Sequence, residues 1–234
     1  MSIHIRPSSV AEAALWRTTL DIADLFSGWP WVLIGAQAIV VLSLELGRAP
    51  ARATRDVDVI VDVRVVAGGA REAAARLVAA GFEPSAEHPH RFVRGADQVD
   101  LLAPDHLGPR VDLTTVPPQT TTEIPGGTRA LSTRRTLEID LLGMGSGLVS
   151  VPSLAGMLVL KVSAWQARRA ERDLEDIVRV LDLVSDPRQV RRELKLAERA
   201  RLAAVAELAS ERHRAWRVAR DPADAQAALA LITS

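Results

Sequence analysis

Residues 51–61 read ARATRDVDVIV. Val57, Val59, Ile60 and Val61 have the β-branched character of a buried strand, yet Asp56 and Asp58 interrupt it. Side chains on a strand alternate faces, so the two carboxylates project together, roughly 6.5 Å apart along the chain. Like charges that close repel. A shared hard cation relieves that repulsion, because Mg²⁺ takes oxygen ligands and is held by one or two carboxylates together with substrate phosphates. A solvent-facing strand that carries Asp at alternate positions is the plainer alternative, and the pair alone leaves both open.

Upstream of this strand, WVLIG at residues 31–35 reads as a short buried strand that follows a break at Gly28 and Pro30. The next segment, AQAIVVLSLELG, continues as a helix that ends near Gly47. Before the break, residues 9–26 space their apolar side chains as a helix does, with Ser8 or Ser9 as N-cap. Downstream, residues 71–82 form a helix ended by Gly81, and RFVRG and QVDLLAP read as two strands, the second carrying Asp100. Residues 107–135, rich in Pro, Thr, Gly and Arg, read as a long loop or hairpin, a kind of segment that compact domains keep for function or mobility. TLEIDLLG is a further strand. After it, SLAGMLVLKVSAWQARR and DLEDIVRVLDLV are strongly helical, and residues 188–232 continue as helix with a break at Asp221–Pro222. The plan is α+β: a small mixed β-sheet with flanking helices, followed by a helical C-terminal half.

At 234 residues, 48% hydrophobic and 25% charged, the chain has the composition of a soluble globular protein with a sizeable core. It contains no cysteine, which excludes disulfides and thiolate metal sites. The first residues lack the layout of a signal peptide, and the apolar runs are too short and interrupted to span a bilayer, so a cytoplasmic protein is expected. Net charge is zero, but residues 161–220 hold 15 basic and 10 acidic side chains. That region is a candidate for contact with a phosphate backbone, or a solvated helix face laced with i,i+4 pairs. Only Lys161 and Lys195 are lysines among 29 basic residues. A lysine inside the apolar run 154–162 therefore marks a place where a compact ammonium matters.

Three pieces converge on one chemistry. Gly35 at a strand-to-helix turn presents free backbone amides where phosphate prefers to sit. Asp56 and Asp58 follow about twenty residues later, and Asp100 on another strand completes a set of three carboxylates. Such a set suits divalent ions that bind a triphosphate, acidify an attacking hydroxyl and support in-line displacement.

With these residues in view, VLIGAQAIVVLSLELGRAPARATRDVDVIVDV at residues 32–63 resembles the first motif of the polymerase-β-like nucleotidyltransferase superfamily, in the version of the AbiEii/AbiGii toxin family and the related MenT toxins. VPSLAGMLVLKVSAWQARRAERDLEDIVRVLDLV at residues 151–184 resembles that family's second signature, a helix with Lys, an Arg-rich turn, then Arg-Asp-x-x-Asp leading into another helix. The resemblance implies a nucleotidyltransferase fold, with a core over residues 1–150 and a helical domain over 151–234. It implies Mg²⁺ or Mn²⁺ on Asp56 and Asp58, a set that Asp100 joins by its strand position, nucleotide phosphate contact by Gly35 and Lys161, with the Ala36 backbone beside Gly35, and an essential acidic role for Asp173 or Asp176. Arg52 and Arg55, which flank the acidic pair, either neutralise it or grip a triphosphate. Where the family usually has Gly-Gly or Gly-Ser, this chain has Gly35-Ala36, which keeps the backbone donors and loses a hydroxyl.

The implied activity is that of a bacterial toxin that transfers a nucleotide from an NTP to RNA, with the 3′ end of tRNA as acceptor and an antitoxin protein as partner. Two rivals stay open: transfer to a small molecule or a protein, and an inactive nucleotide-binding or antitoxin-like module. One difficulty is geometric. In a single straight helix Lys161 and Asp173 would lie about 18 Å apart, so a break within QARRAER is expected. The pair His88-x-His90 in a Pro-containing loop reads as a surface feature, and Trp165 and Trp216 as core.

Overall fold

The computed structural model describes residues 2–49 and 54–234. A short strand, β1 (Ser2–Ile5), precedes helix α1 (Val10–Leu25), whose N-cap Ser9 accepts a hydrogen bond from the Glu12 amide. Strand β2 (Trp31–Ile34) runs straight into α2 (Gly35–Glu45), as the glycine turn predicts. Strand β3 (Asp56–Val61) and helix α3 (Gly69–Ala79) follow. Then come β4 (Glu83–Pro84), the hairpin of β5 (Arg91–Arg94) and β6 (Asp97–Pro104), and a two-residue strand β7 (Glu123–Ile124).

The expected loop over 107–135 is more ordered than its composition indicates. It holds β7, a bridge between Thr114 and Thr120, and a one-and-a-half-turn helix α4 (Gly127–Ser132). Asp105 anchors that helix by accepting the amides of Gly126 at 2.7 Å and Thr128 at 2.8 Å. Six residues are too few to display a helical period, which is why the pattern hides it.

Strand β8 (Arg134–Leu141) pairs with β9 (Gly145–Pro152), and the helical half begins with α5 (Leu154–Arg168) and α6 (Glu171–Asp182). Residues 187–233 are more broken than one helix with a single stop: α7 (Pro187–Glu193), α8 (Leu196–Ala203), 3₁₀ turns at Ala206–Ala209 and Arg214–Val218, and α9 (Pro222–Thr233). The break at Pro222 falls where expected, with Asp221 as N-cap.

Two sheets organise these elements. The larger has the order β2-β3-β6-β5-β4, with β7 beside β6, and mixes directions: β3 and β6 are parallel, while the other pairs along that order are antiparallel. The smaller is β1-β8-β9. Val57, Val59, Ile60, Phe92 and Val99 are fully buried between the layers, each apolar side chain contributing about 1.5–3 kcal/mol by leaving water. One apolar cluster runs from Ile3 to Ile232, so α5 and α6 pack on the same core as the sheet. That continuity holds the cationic helices against the acidic strand.

Candidate active site

Strands β3 and β6 lie parallel with Asp58 opposite Asp100 and Asp56 opposite Gln98. The alternation that buries Val57 and Val59 turns Asp56 and Asp58 the other way. Asp56, Asp58 and Asp100 thereby bring one carboxylate oxygen each to within 4.8 Å of one another. Thr54 Oγ1 donates to Asp56 Oδ1 at 2.7 Å. Arg91 on β5, paired across the hairpin with Asp100, donates from Nε and Nη2 to its two oxygens at 2.7 and 2.9 Å and reaches to 3.7 Å from Asp56.

Gly35 is required twice over. Its φ of +69° belongs to the left-handed region, and a Cβ built there would stand 1.9 Å from Asp58 Oδ2. The Asp58 carboxylate is thus pressed against the first turn of α2. Burial pushes the Asp58 carboxyl up, and the charges of Asp56 and Asp100 push it further, to about 7, against the opposing pull of Lys161 and Arg91. The three acids carry more negative charge than their surroundings compensate.

The facing wall comes from the helical half. Arg169, left-handed at φ 52°, ends α5, and α6 begins at Glu171. This is the break that the distance argument requires. It carries Asp176 to Lys161, whose Nζ donates to Asp176 Oδ2 at 2.8 Å; Arg179 holds the other oxygen at 2.9 Å. Asp173 is taken by Arg168, at 2.6 and 3.2 Å. All three of Lys161, Asp173 and Asp176 are buried. Between the walls lies a cleft of about 340 Å³, lined by Gly35, Ala36, the three acids, Lys161, Asp173 and Asp176.

Not every expected residue arrives. Arg55 is exposed and lines a different groove, beside α1, from the bend that precedes β3. Arg52 lies outside the described residues. Conversely, His90 is not a mere surface feature: it lines the cleft, with Nε2 3.7 Å from Asp100 Oδ2. Thr54, Arg91, Arg168 and Arg172 also line it without having been singled out. Arg91 had a legible signal, since a turn at Gly95-Ala96 that pairs Arg94 with Asp97 necessarily pairs Arg91 with Asp100. Trp165 and Trp216 are buried core residues, as expected.

Comparison with protein families matches the model of the nucleotidyl transferase AbiEii toxin of type IV toxin–antitoxin systems over residues 20–230. The chain belongs to the AbiEii family. It is therefore a nucleotidyltransferase of toxin–antitoxin type, as the two sequence motifs imply. No curated protein matches it. The AbiEii match takes in every cleft residue named above and both motif segments. Nucleotidyltransferases use an NTP and a divalent cation, and the donor set here fits such an ion: three carboxylates, one of them reluctant to ionise without added positive charge. Among the described residues no helix is long and apolar enough to cross a membrane.

Proposed function

We propose that this AbiEii nucleotidyltransferase transfers a nucleotide from an NTP to the 3′ end of an RNA, with tRNA as acceptor, and that Asp56, Asp58 and Asp100 hold Mg²⁺ or Mn²⁺ for it. The observation that carries this reading is the convergence of three carboxylates within 4.8 Å at the glycine turn of α2. A divalent ion bound there supplies charge neutralisation for the triphosphate and acidifies the attacking hydroxyl.

The chain's own residues do the rest. The first-turn amides of α2, at Gly35 and Ala36, offer donors and the positive end of the helix dipole to phosphate oxygens. Lys161, held by Asp176, places its ammonium near Asp58 on the opposite side of the cleft. Arg168 and Arg172 add guanidinium groups that match phosphate geometry. Arg91 keeps Asp100 oriented through its two-pronged grip while leaving carboxylate lone pairs for a further contact. In this reading Asp173 and Asp176 are essential because they position Arg168 and Lys161. Residues 1–150 thus supply the acidic half of the site and residues 151–234 the cationic half, with an antitoxin as the binding partner and the cytoplasm as the compartment.

The test is incubation with each labelled NTP, Mg²⁺ and total RNA, beside an Asp56→Ala/Asp58→Ala protein. Label in tRNA from the wild type alone supports the reading. Label on protein or on small molecules moves the acceptor there, and no incorporation anywhere favours a binding module.

A further inference from the structure

A second cavity, of about 600 Å³, lies beside the N-terminal half of α1, the start of α2 and the β5–β6 turn. Thr18 and Gln37 both line it, and they are only 1% and 2% exposed. The Thr18 hydroxyl and the Gln37 Nε2 have no hydrogen-bond partner. Interiors rarely leave such groups unmet, because each forfeits its bonds to water without recompense. Leu15 and Val40 give the groove apolar walls, and the exposed Arg55 stands at its rim without an ion pair among the described residues. The acidic side chains there are engaged: Glu12 accepts from the amide and hydroxyl of Ser8, and Asp97 pairs with Arg94.

Position links this groove to the reaction. Thr54 lines both the groove and the acidic cleft, and it is the residue whose hydroxyl holds Asp56. We propose that the groove is a nucleobase site, which receives the unstacked nucleoside adjoining the reacting 3′ end of the acceptor strand. This rests on the RNA reading above. A base presents apolar faces to Leu15 and Val40 and carbonyl or ring-nitrogen acceptors to Gln37, the side-chain type that reads base edges. The terminal torsion of Gln is broad and lets the carboxamide turn toward the groove. Arg55 meets the phosphate on the outer side. The volume falls within the range of small-ligand sites.

The experiment uses the full chain with two probes, a fluorescent single-stranded oligoribonucleotide with a free 3′ hydroxyl and labelled nucleoside monophosphates, against Gln37→Leu and Thr18→Val. Both substitutions remove an unmet polar group, and Thr18→Val keeps the shape as well, so both proteins should melt no lower than wild type. Expected is a Kd for the oligonucleotide weakened about tenfold, one lost hydrogen bond's worth, with KM for the NTP unchanged. Equal oligonucleotide binding by all three proteins overturns the proposal. Binding of monophosphates alone that depends on Gln37, with the oligonucleotide indifferent to it, overturns the strand as the source of the base. Oligonucleotide binding that depends on Gln37 without any label entering RNA retains the groove as a base site and overturns the transfer reading instead.

Discussion

Lys161 and Asp176 stand 15 residues apart in the chain and meet at 2.8 Å, both nearly buried, because the left-handed Arg169 turns α6 back alongside α5. This ion pair joins the two helices and carries an ammonium to the side of the cleft that faces the acidic strand. Asp176 also accepts from Arg179, so it is the hub of the arrangement. Removing a hub strands its partners, whereas removing one partner leaves the hub satisfied.

Asp176→Ala should therefore destabilise the fold by about 3–5 kcal/mol, the cost of leaving buried charge uncompensated. Lys161→Met should cost less, since Arg179 still neutralises Asp176, while abolishing nucleotide transfer. Urea unfolding of both proteins beside an activity assay checks this. Equal stability losses would show that Asp176 is no more of a hub than Lys161.

Gly35→Ala places a methyl group 1.9 Å from Asp58 Oδ2 and forces an L side chain to φ +69°. The backbone strain alone is about 1–2 kcal/mol, and the clash displaces the carboxylate as well. The expected outcome is a folded protein with a lowered melting temperature and at least a hundredfold loss of transfer. Retained activity would mean that the turn does not define the site.

The sequence carried the acidic strand, the glycine turn and the helix break for physical reasons. Alternation puts Asp56 and Asp58 on one face, and the rise of 1.5 Å per residue makes an unbroken helix through Lys161 and Asp173 useless. Other features depend on pairing that no local pattern encodes. β1 is four residues that become a strand only beside β8, and β9 begins with a Gly-Ser-Gly turn signal and then buries four residues in succession. Arg55 shows the opposite failure. Sequence adjacency to Asp56 pointed to the site, while the bend before β3 leaves the side chain exposed at another groove.

Asp105 offers a pH test away from the cleft. Burial pushes its carboxyl up, but the amides of Thr128 and Gly126 more than offset this and hold it below the ordinary value. A folded-state pKa below the unfolded one contributes stability that is fully present above about pH 4 and lost as pH falls through the folded value. Asp105→Asn should be less stable than wild type at pH 6–7, by ~1–3 kcal/mol for the charge-assisted bonds, and the two should converge as the pH is lowered below about 4. A difference that stays constant across that window would remove the carboxylate charge from the account.

Asp58→Asn separates the cost of the acidic cluster from its use. Burial and the neighbouring carboxylates raise the Asp58 pKa to about 7. For an acid, a raised folded-state value means that ionisation weakens the fold: the penalty is absent below the unfolded value near 4, grows between about 4 and 7, and is complete above. At pH 8 without divalent cations, Asn at this position should therefore stabilise the protein, by at most ~4 kcal/mol for a rise from near 4 to about 7. Added Mg²⁺ or Mn²⁺ should raise the melting temperature of the wild type and leave Asp58→Asn unmoved, because binding to the folded state alone is what stabilises it. The order of stability then reverses at saturating metal. An Asn protein that is weaker than wild type in chelator, or that responds equally to the metal, would show that the three carboxylates are held together for some purpose other than a cation.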